Sequence, residues 1–317
     1  MTRRFSALFL SLVMAAAVAA GCGGAPAAPA QTRAATAETK PAPRQTTYPI
    51  TLKDDAGRTV TIPAEPKRVV SVAPSNTELV FALGKQSVLV GRSDYDDYPA
   101  DVKKIPSIGG FEPPNYEKIV GAQPDLLLLI GGSEEARNKL TGDYKLNVFV
   151  LDPKNFDDLY ADIKNLGIIL NAQSAAEQLV ADMQKSVKEI TDKVAKATTK
   201  PKVFYEVWND PLMTAGAGTF INDLITMAGG ENVGASVKGW GNFSPEQLAA
   251  ANPDIYVAGS PDAAAKVKDR KDALSLKAVK DGKLFGVEDE NLVVRPGPRL
   301  VLGLQWFAQT IHPELFK

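Results

Sequence analysis

The segment SAAEQLVADMQKSVKEITDKVAKAT, from Ser174 to about Thr198, decides the fold. Its apolar residues recur at steps of three and four, which is typical of a helix that buries one face. They are Ala176, Leu179, Val180, Met183, Val187, Ile190 and Val194. A helix of this length spans about 37 Å, and Pro201 follows it as a stop signal. The segments on either side are each domain-sized, so the pattern predicts a brace between two lobes, with a coiled-coil strand as the alternative.

The composition is that of a soluble two-domain protein, with 317 residues, 44% of them hydrophobic and 23% charged. The formal net charge is -1, and nothing in the charge distribution indicates a nucleic-acid partner. We place the N-terminal lobe at residues 48–172, the interlobe helix at 173–200 and the C-terminal lobe at 201–317. Each lobe is long enough to bury a core of its own.

The N-terminus is typical of an export signal. Residues 1–21 start with two arginines, continue with an apolar run and end in small residues immediately before Cys22. A membrane-spanning helix is the alternative, but the run becomes alanine-rich towards its end. Cys22 is the sole cysteine, so the chain forms no internal disulfide. Residues 22–47 are rich in Ala, Pro and Thr, which predicts a disordered tether.

Short apolar strands alternate with helical patterns on both sides of the brace, which predicts α/β lobes. The predicted strands are Ile50–Leu52, Thr59–Ile62, Arg68–Val72, Val88–Val90, Leu126–Ile130 and Val148–Leu151 before the brace, and Val203–Val207 and Ile255–Val257 after it. The predicted helices include Phe156–Leu170 before the brace, and Phe220–Ala228 and Leu300–Ile311 after it. The two halves also repeat one another. NYEKI at 115–119 leads to Pro124-Asp125, and SPEQL at 244–248 leads to Pro253-Asp254. Two lobes of related build leave a cleft between them.

The residues needed by common enzymes are scarce. His312 is the only histidine, so neither a catalytic triad nor a zinc site is predicted. There is no phosphate-binding loop ending in Gly-Lys-Ser or Gly-Lys-Thr. Asp94, Asp96 and Asp97 form an acidic cluster that we interpret as a solvated loop, because the spacing of a calcium loop is missing.

Aromatic residues make up 7% of the chain, and several fall in predicted loops beside glycine. They are Tyr95, Tyr98, Phe111, Trp208 and Trp240. In open α/β sheets, ligands bind beyond the carboxyl ends of the strands, which is where these loops fall. The pattern therefore predicts a site for a flat ligand. The alternative is that each ring covers the core of its own lobe.

Three motifs resemble the helix-linked class of substrate-binding proteins of ABC importers. They are RVVSVAPSNTE at 68–78, DYDDYP at 94–99 and PDL at 124–126. The resemblance covers nearly all of residues 48–317. It implies two Rossmann-like α/β lobes joined by one long helix, with a ligand cleft between the lobes. This class carries ferric siderophores, haem and cobalamin, and it catalyses nothing.

Within the class, the chain is most similar to the cobalamin-binding proteins. Tyr95, the pair Tyr98-Pro99, Trp240 and Arg295 match the motifs of those proteins, and Phe111 stands where they have tryptophan. The resemblance implies that these side chains, together with Trp208, surround a corrinoid, and cobalamin is the corrinoid we expect. Ile130 occupies a position where a further aromatic occurs in some members.

Other ligands and activities remain open. The second ligand class is haem or a ferric siderophore, with Tyr95, Tyr98 or Met213 as iron ligands. In that case Arg92, Arg295 or Arg299 would meet the carboxylates of the ligand. An exported two-lobed enzyme is the hypothesis from another class, which turnover of a bound compound would reveal.

The resemblance also implies partners. The small residues before Cys22 resemble a lipobox, which implies cleavage there and a lipid on the cysteine. One exposed glutamate in each lobe of such proteins docks into a permease dimer, and the matching positions are Glu117 and Glu246. No cofactor or bound metal is expected, and we expect a monomer whose lobes close little.

Overall fold

Two sheets and one long helix organise the residues that the structure describes. It is a computed structural model that describes residues 45–110, 113–132 and 134–317. The predicted signal peptide, Cys22 and Phe111 lie outside the described residues, as does nearly all of the predicted tether. Among the described residues, no helix combines the length and the apolar character needed to cross a membrane.

The N-terminal lobe is built on a four-stranded parallel sheet with the order β4-β3-β5-β6. Its elements are β1 (Ile50–Lys53), β2 (Thr59–Ile62), β3 (Val69–Ser71), α1 (Pro74–Ala82), β4 (Leu89–Gly91), α2 (Tyr116–Gly121), β5 (Leu126–Leu129), α3 (Glu134–Gly142), β6 (Val148–Val150) and α4 (Phe156–Ile169), with 3-10 turns at Gln86–Val88 and Ala100–Lys104. β3, β5 and β6 are buried along their whole length, as is usual when helices cover both faces of a parallel sheet. The antiparallel hairpin of β1 and β2 turns at Gly57, which has a φ of 75°.

The long helix α5 runs from Gln173 to Val194, a span of about 33 Å. The sequence predicts that it continues to about Thr198, within the segment 173–200. The structure ends it at Val194, which is also the last buried residue of its apolar face. Beyond this point the helix has nothing left to bury, and the β-branched pair Thr198-Thr199 precedes Pro201.

The C-terminal lobe contains a sheet with the order β10-β8-β7-β11-β12, and β9 also pairs with β7. Its elements are β7 (Lys202–Asn209), β8 (Leu212–Ala215), α6 (Phe220–Met227), β9 (Glu231–Asn232), β10 (Trp240–Asn242), α7 (Pro245–Ala251), β11 (Ile255–Ala258), α8 (Pro261–Val267), α9 (Lys277–Lys280), β12 (Leu284–Gly286), α10 (Asn291–Val294) and α11 (Leu300–Ile311), with a 3-10 turn at Pro313–Phe316. β7, β11 and β12 are parallel, whereas β8 is antiparallel to both of its neighbours. The predicted fold class, two α/β lobes joined by one long helix, is confirmed.

The hydrophobic core is shared more than the sequence predicts. Each lobe has a buried cluster of its own, around Ile119 in the first and Phe204 in the second. The largest cluster nevertheless runs through both lobes and includes α4, the buried face of α5 and α11. Phe156 of α4 meets Phe220 of α6 edge to face, with ring centroids 6.2 Å apart. Each lobe thus buries residues of its own, and in addition α5 packs against both lobes and joins their interiors.

Candidate ligand-binding site

The main cavity lies at the carboxyl ends of the N-terminal strands and has a volume of about 770 Å³. This volume is within the range of small-molecule sites in proteins. We call it the central pocket; its lining residues are Val72, Pro113, Pro114, Tyr116, Leu129, Ile130, Gly131, Gly132, Glu135, Ala136, Asp152, Lys154 and Trp240. Trp240 comes from the C-terminal lobe, so the pocket lies in the predicted cleft. Ile130 forms part of its wall.

The charged wall of the central pocket is internally paired. Lys154 Nζ lies 2.5 Å from Asp152 Oδ2, and the Asp152 main-chain N–H donates to Asp55 Oδ2 over 2.5 Å. Asp152 also packs closely against Gly131, where a Cβ atom would lie 2.3 Å from Oδ2. The glycine thus makes room for the carboxylate at the end of β5.

Asp162 lies behind this wall, on α4, and its side chain is 1% exposed. Burial raises the pKa of Asp162 to about 9, and the charges of Asp55, Asp158 and Asp152 act in the same direction. Its Oδ2 atom is buried without a hydrogen-bond partner among the described residues. The group is therefore a neutral carboxylic acid at neutral pH.

Trp208 and Trp240 lie on one face of the same antiparallel unit. Trp208 pairs with Met213 of β8, and Met213 pairs with Asn242 of β10. Directly paired residues point to the same side of a sheet, as do residues two apart, so Trp240 shares this side. The two indoles are 60% and 48% exposed. The sequence predicts that both tryptophans lie in loops. The structure instead places Trp208 near the end of β7 and Trp240 at the start of β10, because the hairpin of β7 and β8 extends beyond the rest of the sheet.

A second pocket of about 330 Å³ opens at the carboxyl ends of β7 and β11, and Trp208 is part of its lining. Glu206, which is buried there, accepts hydrogen bonds from the Tyr256 hydroxyl and from the Arg270 guanidinium. Arg270 also binds Asp272, with 2.9 Å between Nη2 and Oδ2. Glu290 accepts a bond of 3.1 Å from the Tyr205 hydroxyl, and burial raises the pKa of Glu290. The arginine of this pocket is thus neutralised by two carboxylates.

The loop that carries Tyr95 and Tyr98 follows β4 and is held from within. Asp96 is fully buried, and its Oδ1 accepts a hydrogen bond from the Ser93 hydroxyl. Burial raises the pKa of Asp96, and the bond to Ser93 opposes that rise. The interpretation of this segment as a solvated acidic loop is therefore wrong for Asp96.

This loop also adjoins the glycines that precede Phe111. The Asp94 main-chain N–H donates to the Gly109 carbonyl over 3.0 Å, and a Cβ at Gly110 would lie 3.7 Å from the Tyr95 ring. The two predicted aromatic loops of the N-terminal lobe are therefore neighbours.

Two arginines of the C-terminal lobe reach across to this loop and to α1. Arg299 binds Glu78 with both its Nε and its Nη2, each over 2.8 Å. Arg295 Nη1 lies 3.2 Å from Glu78 and 2.5 Å from Asp97, and its Nη2 donates to the Tyr95 carbonyl over 3.3 Å. We call Glu78, Asp97, Arg295 and Arg299 the arginine clamp.

The clamp is also electrostatically balanced. Glu78 is 3% exposed and has a cation on each oxygen. The hydrogen bond from Arg299 to Glu78 raises the pKa of the arginine further above its ordinary value. Partial burial acts to raise the pKa of Asp97, but the hydrogen bond and charge of Arg295 outweigh it and leave that pKa below its usual range. Arg299 also lies over the Tyr98 ring, 4.1 Å from its centroid.

The structure brings only some of the predicted ligand residues together. Trp240 joins the central pocket, Tyr95 lies beside the segment that leads into it, and Trp208 belongs to the second pocket. Arg295 is used internally by the clamp. Sequence reasoning missed Glu78 and Glu206, and a single carboxylate inside an otherwise apolar helix or strand was the available signal.

Glu117 and Glu246 occupy the same position in two helices. Asn115 caps α2 and Ser244 caps α7, so each glutamate is the second helical residue, and both are exposed. Both helices run back from the carboxyl ends of their strands, which puts both glutamates at the edge where the pockets open. Ser244 and Gln247 form the predicted capping box. The main-chain N–H of Glu246 itself, and then the Ser244 hydroxyl, hold the pKa of Glu246 below its ordinary value.

Within the described ranges, no three or more histidine, cysteine or acidic side chains are arranged to hold a metal ion. The walls of the central pocket combine aromatic and apolar side chains with Glu135 and the paired charges of Asp152 and Lys154. Such a pocket is suited to holding an organic molecule.

Comparison with known proteins assigns the family. The family model described as periplasmic binding protein matches residues 69–290. The chain is 33% identical, over 99% of both chains, to an uncharacterized ABC transporter substrate-binding lipoprotein, YvrC, of Bacillus subtilis. It is 28% identical to the vitamin B12-binding protein of Pectobacterium carotovorum, over 76% of this chain and 87% of that one.

A solved structure shows the same architecture. The crystal structure of a possible iron-binding periplasmic solute-binding protein from Staphylococcus epidermidis superposes with a TM-score of 0.68 at 32% identity, over 78% of this chain and all of that one. Proteins of this family bind solutes outside the cytoplasm as part of transport systems, and they are not enzymes. The chain belongs to the periplasmic binding protein family, as an ABC transporter substrate-binding protein.

Proposed function

We propose that this protein captures a corrinoid, in the first instance cobalamin, in the cleft between its lobes and delivers it to an ABC permease. The observation that carries the proposal is the shared, exposed face of Trp208 and Trp240. Large aromatic rings offer a flat apolar surface, which matches a flat macrocycle. Tyr95, Tyr98, Phe111 and Arg295 complete the proposed ligand set. The vitamin B12-binding relative from Pectobacterium carotovorum supports the same ligand class.

The charge pattern of the cleft favours a ligand edged by amides over one edged by carboxylates. Arg295 and Arg299 are bound to Glu78, Asp97 and Asp289. Haem presents two propionates, which would need cations that are not already paired. The corrin ring of cobalamin carries amide side chains, and these bond equally well to carboxylates and to main-chain groups. The clamp therefore occupies two of the three arginines that the haem alternative calls on, and Arg92, the third, donates from Nη1 to the Ser93 carbonyl.

Haem or a ferric siderophore is the second candidate. The exposure of the Tyr95 and Tyr98 side chains favours it, because a phenolate is a possible iron ligand. The Staphylococcus epidermidis structure, described as possibly iron-binding, points in the same direction. Calorimetric titration of the purified protein with cyanocobalamin, haemin and a ferric hydroxamate siderophore separates the candidates.

We expect cyanocobalamin to bind, and Trp240→Ala to weaken its binding at least about tenfold, or 1.4 kcal/mol, because an exposed stacking surface is lost. Trp306→Phe is the matched control, since Trp306 packs against the core from α11. Binding of an iron compound alone would show that the corrinoid assignment is wrong.

We further propose that residues 1–21 are removed and that Cys22 is lipidated, so that residues 22–47 tether a monomeric body to the outer face of the cytoplasmic membrane; a location in the periplasm is the alternative. The lipoprotein name of the Bacillus subtilis relative supports the lipid anchor. The end of the predicted tether at residue 47 is corrected by the structure, because Thr46 already belongs to the body: its hydroxyl donates to the Ile168 carbonyl over 2.7 Å. We expect Cys22→Ala to abolish fatty-acid labelling. Labelling of that variant at the parent level would contradict the anchor.

Docking on the permease dimer is the last part of the proposal. We assign it to Glu117 and Glu246, one in each lobe. In this proposal the two lobes span residues 48–172 and 201–317.

A further inference from the structure

We propose that Arg299 is a positioning residue for Tyr95 and Tyr98, two of the proposed ligand-binding aromatic residues. Through its two parallel hydrogen bonds to Glu78, here called the fork, Arg299 fixes the loop from Asp94 to Tyr98 across the boundary between the lobes. This inference rests on the proposed ligand cleft. It assigns no ligand contact to Arg299 itself.

The first step of the argument is the location of the partners. Glu78 lies on α1 of the N-terminal lobe, whereas Arg299 immediately precedes α11 of the C-terminal lobe. The two parallel hydrogen bonds between them define a single relative orientation, because the guanidinium and the carboxylate are both planar. Glu78 is buried, so the pair is shielded from competition by water and salt.

The second step is what the pair supports. The guanidinium carbon of Arg299 lies over the Tyr98 ring, 4.1 Å from its centroid. Arg295, which shares the same Glu78 oxygen, holds the main chain of Tyr95 and the carboxylate of Asp97. One face of the loop is thus fixed by residues of the opposite lobe.

The third step is the energetic consequence. Tyr95 and Tyr98 remain substantially exposed, so neither ring is held mainly by core packing. A loop that is held in its binding conformation before the ligand arrives has less conformational entropy to lose on binding. The clamp therefore contributes to affinity by ordering the loop, and its removal acts on the ligand indirectly.

The experiment compares three variants with the parent protein. Arg299→Gln removes the fork and leaves Glu78 buried beside Arg295 alone. Glu78→Gln with Arg299→Gln removes both charges of the pair, so no unpaired charge is left buried: Arg295 keeps Asp97, and Asp289, which loses Arg299, is 42% exposed. Arg58→Gln is the matched control: it removes the partner of Asp54, a buried carboxylate, in an ion pair contained within the N-terminal lobe.

Two measurements are made on each: hydrogen exchange of the peptide covering residues 94–99 without ligand, and the dissociation constant for cyanocobalamin. We expect Arg299→Gln to speed exchange in this peptide and to weaken binding about tenfold. The double variant should recover thermal stability towards that of the parent while exchange stays fast and binding stays weak. Arg58→Gln should lose stability without either change.

The proposal is overturned if Arg299→Gln exchanges and binds like the parent, or if the double variant restores both properties along with stability. The second result would mean that the fork only neutralises a buried charge. Failure of the parent to bind cyanocobalamin would instead count against the proposed ligand, and the exchange measurement would still decide whether the clamp orders the loop.

Discussion

Replacing Asp162 with asparagine is expected to make the protein more stable than its parent at pH 8 and to flatten the dependence of its stability on pH. Asp162 is 1% exposed, and burial, together with Asp55 and other nearby carboxylates, raises its pKa from 3.8 to about 9. Below about pH 4, the side chain is protonated in both the folded and the unfolded state. Above it, the unfolded chain releases a proton that the folded protein keeps.

The direction of the effect follows from this difference. The free energy of unfolding falls as the pH rises from about 4 towards about 9, by up to about 1.4 kcal/mol per unit. Between pH 5 and pH 8, we expect the parent to lose on the order of 2 to 4 kcal/mol more than the variant. Asparagine has nearly the same shape, carries no charge, and still offers Asp55 a donor.

Urea unfolding at a series of pH values measures this difference, and Asp143→Asn is the control because its carboxylate is exposed. The control should follow the parent at every pH. If Asp162→Asn also follows the parent, Asp162 does not retain its proton in the folded protein and the prediction is wrong. A stabilised variant should keep the central pocket, because Asp55 would still hold the main chain of Asp152.

The lobe architecture could be predicted because its signals are local. The period of α5 marks one buried face, and the repeated Pro-Asp motif before β5 and β11 marks two lobes of one design. In the structure, Asp125 accepts from the Arg68 main-chain N–H over 3.0 Å, and Asp254 accepts from the Lys202 main-chain N–H over 2.9 Å. In each lobe, this bond ties the strand to its parallel neighbour. The repeat in sequence is therefore a repeat in structure.

The arrangement of the candidate site could be predicted only in part, because it depends on pairings between distant residues. Glu78 and Arg299 are 221 positions apart, and no periodicity connects them. The antiparallel unit of β7, β8 and β10 that carries Trp208 and Trp240 is similar: β10 is three residues long and contains a glycine, which gives little strand signal. The aromatic residue types indicated a flat ligand, but their common face depends on the register of β7, β8 and β10.

Replacing both Glu117 and Glu246 with alanine is expected to abolish cobalamin uptake and to leave ligand binding unchanged. The two carboxylates occupy the second position of equivalent helices, at the pocket edge of each lobe, and neither lines a pocket described above. Two acids at equivalent positions, one in each lobe, are suited to a receptor with twofold symmetry. Loss of one partner of a buried charge pair weakens association by roughly 30-fold to several-thousand-fold. Two such losses would prevent a productive complex.

The alternative is that the glutamates only support their helices. The side chain of Asn115 already caps α2 through the main-chain N–H of Lys118, and α7 has a complete capping box, so neither helix start depends on its glutamate. Asp157→Ala is the matched control, because this exposed acid has the same second position in α4. Uptake of labelled cyanocobalamin by cells with the cognate importer, beside calorimetry and thermal unfolding, distinguishes the two roles. Transport by the folded double variant at the parent rate would show that these carboxylates act only at the helix starts, whereas uptake lost in the double variant but kept in Asp157→Ala would assign them to the permease.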